Sequence, residues 1–155
     1  MSNVQLDEFY TAVAQAIRNT LKQEQLPAVG GNVFYTHPEN DACHCVVGHV
    51  AALWQPEKWS LNEGVGLCFL NERAVDSRHE TPPLTPVQWH ILDKLQGLHD
   101  DAITYATEID VASERTLADD ELQAFRAMFR FTLRAWQQTT CNVEVDQMLS
   151  AALEE

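Results

Sequence analysis

His37, Cys43, His44, Cys45 and His49 place five side chains able to ligate a metal or move a proton within 13 residues. Cys45 and His49 are four apart, so on a helix they would share a face. Cys43 or His37 would then supply a third ligand to zinc, which favours tetrahedral Cys and His ligation. The spacing, His-x5-Cys-x-Cys-x3-His, is not one of the paired forms that mark a zinc module. Thiol catalysis is the other chemistry this segment offers. Cys43 or Cys45 falls near a helix start, where the dipole lowers a thiol pKa. His79, His90 or His99 would act as base, oriented by Asp100 or Asp93.

Against both readings stands the surrounding composition. From Cys43 to Trp54 nothing is charged, so small buried thiols and a hydrogen-bonded core histidine account for the segment more simply. The expectation is therefore no metal, no cofactor and no catalytic residue. A zinc or thiol site at His37, Cys43, Cys45 and His49 is the alternative. Phosphate-binding and nucleophile-elbow motifs are missing, and His79-Glu80 is followed by Thr-Pro-Pro rather than a second helical histidine. His99-Asp100-Asp101 is half of a carboxylate–imidazole metal motif and lacks a second half.

Charge is the stronger signal. Twenty-three Asp and Glu against ten Lys and Arg give a net charge of −13 in 155 residues. That excludes a broad cationic surface for phosphates, and with it direct nucleic-acid binding. From Asp100 to Glu121, eight carboxylates face one arginine, a net −7 in 22 residues. At 100° per residue, Asp93, Asp100, Asp101 and Glu108 fall within ~100° of arc on one helix, away from its apolar stripe. Asp110, Asp119, Asp120 and Glu121 extend the acidic region. Acids suit any solvated helix face, and those at 119 to 121 also suit a helix first turn. Acid spaced along a ridge can also imitate a phosphate backbone and steer a basic partner.

The elements that must carry these residues are helices. Residues 4 to 25 show apolar positions at three- and four-residue steps, stopped by Pro27, Gly30 and Gly31. The stretch 28 to 42 reads as a loop with at most one short extended piece at 33 to 36. A buried helix follows from about Cys43 to Trp54; Gly48 inside it implies close approach of a neighbouring backbone. Ser60-Leu61-Asn62-Glu63 has capping-box form and predicts a short helix over 61 to 73. Asp76 to Leu84 is the main internal loop. Thr85-Pro86-Val87-Gln88 is the strongest helix start, and Val87, Ile91, Leu95, Leu98, Ala102, Tyr105 and Ile109 make its stripe. Further helices are expected at about 117 to 139 and 143 to 153. In the first of these, Arg126, Arg130 and Arg134 are expected to pair with surplus carboxylates. That helix should be central in the bundle, or else Phe131 marks a subunit interface.

The sum is an all-α single domain over 1 to 155, a compact bundle of five or six helices with little or no β. The helices from 86 and 117 should pack antiparallel through an acidic connection at 111 to 116. The first residues lack a basic signal-peptide region, no apolar run spans a membrane, and four cysteines are too few for a disulfide scaffold. A reduced, cytoplasmic protein with no membrane role is expected. The functional expectation is a non-enzymatic acidic protein that blocks a basic, nucleic-acid-binding surface of a protein partner. It would be an inhibitor, immunity or viral anti-defence type from a bacterium or phage, acting as a nucleic-acid mimic. A homodimer through the 117 to 139 helix is a further expectation.

Overall fold

The computed structural model describes residues 7–29, 32–33, 35–37, 39–54, 56, 84–108 and 118–154. Along these run α1 (Glu8–Lys22), β1 (Ala28–Val29), β2 (Asn32–Val33), β3 (Thr36–His37), β4 (Asn40–His44), α2 (Val46–Leu53), α3 (Pro86–Glu108), α4 (Ala118–Thr139) and α5 (Val143–Leu153). The fold is mostly helical, with small antiparallel pairings added. The helix expected at 61 to 73, most of the 76 to 84 loop and the 111 to 116 connection lie outside the described residues.

The helix ends follow local chemistry. Asp7 caps α1 by accepting the Tyr10 N–H at 3.0 Å. Thr85 and Gln88 form a reciprocal capping box: Gln88 N–H donates to Thr85 Oγ1 at 3.2 Å, and Thr85 N–H to Gln88 Oε1 at 2.9 Å. Asn142 caps α5 through the Glu144 and Val145 N–H groups. α1 stops at Lys22, short of the expected 25. There the Gln23 backbone turns extended and its carbonyl accepts Arg126 Nη2 at 2.8 Å, a partner that sequence spacing cannot reveal.

The region read as loop contains β1 to β4. β1 pairs with β2 and β3 with β4, both antiparallel. Cys43 and His44 therefore end a strand instead of beginning a helix. Burial begins at its end: residues 40 to 42 are exposed, Cys43 and Cys45 are buried, and His44 between them is half-buried. α2 begins at Val46, and Cys45 is its cap. The Cys45 Sγ accepts the Gly48 N–H at 3.4 Å, and the Cys45 N–H donates to the Tyr35 carbonyl at 3.1 Å. A Cβ on Gly48 would collide with that Tyr35 oxygen and lie 2.9 Å from His44 Cβ. The close backbone approach implied by the glycine is thus present.

One buried cluster draws on all five helices, with Val13 and Ile17 from α1, Val46 and Val50 from α2, Leu92 and Leu95 from α3, Phe125 and Phe129 from α4, and Met148 and Leu149 from α5. α3 runs antiparallel to α4: His99 stacks its ring edge on Phe125 and Phe129, while Lys94 Nζ lies 5.8 Å from the Trp136 ring further along. The buried face of α3 is Ile91, Leu92, Leu95, Gln96, His99, Ala102, Ile103 and Ala106. Val87 and Tyr105, placed on the stripe by sequence, are exposed. The wheel is rotated because two polar side chains, Gln96 and His99, belong to the core. No helix among the described residues is long and apolar enough to cross a membrane.

Candidate functional site

The rotation of α3 decides where its carboxylates point. Asp101 is exposed and Asp93 half-buried, on the arc opposite Leu95 and His99. Asp100 sits at the edge of that arc. Its Oδ1 accepts Gln96 Nε2 at 2.8 Å and lies 3.1 Å from Nδ1 of the fully buried His99, while its own side chain is 45% exposed. Gln96 continues the chain inward, its Oε1 accepting the Val47 N–H at 3.3 Å. Asp100 is thereby tied to the first turn of α2, where its charge also helps raise the Cys45 pKa. Asp100 therefore belongs both to the acidic face and to the hydrogen-bonded core.

Of the other acids singled out by sequence, Glu121 is half-buried. Glu108, Asp119 and Asp120 lie on the described backbone of α3 and α4 without described side chains, and Asp110 lies outside the described residues. Of the three α4 arginines expected to pair with carboxylates, Arg126 is the one whose partner is described, and that partner is a backbone carbonyl. Arg126 reaches the Gln23 carbonyl, and its buried Nε has no hydrogen-bond partner among the described residues.

The thiol and imidazole candidates separate in space. His37 is buried; its Nδ1 accepts the Glu39 N–H at 3.0 Å and its Nε2 lies 3.2 Å from the Gln25 amide. The Cys43 thiol donates to the Gln25 carbonyl at 3.4 Å. His49 Nε2 bonds Gln23 Oε1 at 2.9 Å, and the His44 ring stands edge-on to it at 5.0 Å, held by Thr36 Oγ1 at 2.9 Å. Among the described residues no three His, Cys, Asp or Glu side chains converge as a metal site. His37, Cys43, Cys45 and His49 are each engaged with neighbouring amides or backbone.

Burial raises the Cys43 thiol to about 11 and the Cys45 thiol to about 12. Both are protonated at neutral pH, opposite to what a nucleophile requires. Burial, aided by the nearby His44 and His99, lowers His49 to about 4. His99 does gain an orienting carboxylate from Asp100. Its other nitrogen, Nε2, is buried without a partner among the described residues, and the ring packs against Phe125 and Phe129. A base needs a reacting group within reach, and this imidazole is walled by aromatic rings. His90 is exposed on α3, and His79 lies outside the described residues.

Sequence reasoning missed Gln23 and Gln96. Gln23 accepts the His44 N–H at 3.0 Å and donates to the His44 carbonyl at 2.9 Å, like one rung of an extra strand. Gln96 offered one signal, its place between Leu92 and His99 on the buried arc. The chain matches no family model, no curated protein and no solved structure.

Proposed function

We propose that the protein is a non-enzymatic binding protein whose acidic α3 face meets and blocks a basic surface on a protein partner, one of the kind that otherwise contacts nucleic acid. The reading rests on one observation. Asp93 and Asp101 stand on the arc of α3 turned from the core, in a chain carrying net charge −13. Asp100 adds a half-exposed carboxylate at the edge of the same arc, and Glu108 continues it at helical spacing. Asp110 and the acids at 119 to 121 enlarge the negative field. Such a field speeds encounter with a cationic surface and competes with phosphate for it. An inhibitor, immunity protein or viral anti-defence protein would use it in this way.

The test begins with capture of a partner from host extract at low and moderate salt. Association is then measured for the Asp93→Asn, Asp101→Asn, Glu108→Gln triple variant, with Asp100 kept because of its bonds into the core. Loss of three charges should slow association about tenfold at low salt and flatten its salt dependence. A partner that binds the triple variant with unchanged rate and salt slope excludes this face.

A further inference from the structure

Among the described residues, no element covers a second surface, on α4, which is apolar where the α3 face is acidic. Phe131 is 69% exposed, the highest value among the large exposed hydrophobics. Ala127 and Ala135, one turn before and after it, are exposed, and Ala124 is half-exposed. α3 and α5 pack on other sides of this helix. The exposed strip is flanked by Gln123, Arg134 and Gln138. α4 thus packs on α3 and α5 through Phe125, Phe129 and Leu133, while among the described residues its Phe131 side is left exposed.

The strip is also electrically polar along its length. α4 begins with Asp119, Asp120 and Glu121 and carries its cations at 126, 130 and 134. Two copies packed antiparallel across a two-fold axis would set Arg134 of each against the acidic first turn of the other. The same register, with the axis between Ala127 and Met128, sets each Phe131 over Ala124 of the other copy. Large then meets small and positive meets negative twice, as an isologous interface requires.

We infer that the exposed face of α4 is a self-association surface, closed by a second copy of this chain packed antiparallel about the 127/128 position. It lies on a different helix from the proposed partner-binding face, so either can fail alone. One helix face is smaller than the ~1,600 Å² of a standard interface. Each copy also carries charge −13, so repulsion opposes assembly at low salt. The dimer is accordingly weak and tightens as added salt screens the repulsion.

Sedimentation of the full chain across concentration should show the mass rising from one protomer to two. Phe131→Glu should weaken dimerisation at least about tenfold, and Phe131→Ser guards against misfolding, with circular dichroism confirming both folds. Arg134→Glu should weaken it, and adding Asp120→Arg should restore it. Register is read by mild oxidation in a Cys68→Ser, Cys141→Ser background, because Cys141 is exposed and Cys68 lies outside the described residues. Ala127→Cys, close to the axis, should cross-link, whereas two Gln138→Cys residues would lie about 30 Å apart and should not. A constant one-protomer mass up to about 1 mM, a dimer indifferent to Phe131→Glu, or equal cross-linking at 127 and 138 would overturn the inference.

Discussion

His99 Nδ1 lies 3.1 Å from Asp100 Oδ1, although the imidazole is fully buried and the carboxylate side chain is 45% exposed. The contact joins the core to the acidic face across adjacent residues of α3. The same oxygen holds Gln96, which in turn holds the first turn of α2. Asp100 is therefore part of the framework as well as of the surface charge.

Asp100→Ala should destabilise the fold by about 1–2 kcal/mol, since it frees the buried His99 N–H and loosens Gln96. Asp101→Ala, with an exposed side chain, should stay within about 0.5 kcal/mol of the parent. Urea denaturation of the two variants measures the difference, and equal midpoints would deny Asp100 its bridging role.

Gly48 and Gly97 should respond oppositely to alanine. A Cβ at Gly48 meets the Tyr35 carbonyl, which is backbone and cannot swing aside, so Gly48→Ala should cost about 3 kcal/mol or more. Nothing lies within 4 Å of a Cβ at Gly97, inside the exposed side of a long helix. Gly97→Ala should stabilise by about 0.5–1 kcal/mol. Thermal melts of both variants check the pair.

Acid should unfold the protein earlier than its carboxylates alone dictate. Burial lowers His44 and holds His49 at about 4, against 6.5 for both in the unfolded chain. Below 6.5 the unfolded chain takes up protons that the fold refuses. For His49 this contribution is complete above about 6.5 and is lost as pH falls toward about 4, by up to about 1 kcal/mol per pH unit, and His44 acts in the same direction. His49→Gln should flatten the stability profile between pH 6.5 and 5. An equally steep profile in that variant would show that His49 is not responsible.

Thiol labelling at neutral pH should distinguish the described cysteines. Cys141 is exposed, whereas Cys43 and Cys45 are buried with raised pKa values. Cys141→Ser should remove a fast-reacting thiol, and reagent should reach Cys43 and Cys45 only at the rate of unfolding. Fast modification of Cys45 in the native protein would reopen the nucleophile reading.

Much of the helical frame was legible from local chemistry. The Thr85 to Gln88 cap, the starts and ends of α4 and α5, and the demand for backbone contact at Gly48 are set by residues within a turn or two of each other, or by the lack of a side chain. Charge density was equally plain, because counting carboxylates needs no geometry. The β pairs escaped notice because β1 to β3 are two residues long and β4, exposed over its first three residues, leaves no alternation to detect. Their pairing and the strand carrying Cys43 depend on partners that only chain folding brings alongside.

The amino-acid order by itself determined that α3 would be long, amphipathic and acidic on one side. Tertiary structure alone decided which side, because taking Gln96 and His99 into the core turned the helix and moved Val87 and Tyr105 into water. It also decided that Asp100 would be shared between core and surface, that Cys45 would cap a helix as a protonated thiol, and that Phe131 would be left uncovered. Each of these depends on whether a neighbouring element supplies a hydrogen-bond partner or an apolar wall, a condition met through space and invisible to spacing along the chain.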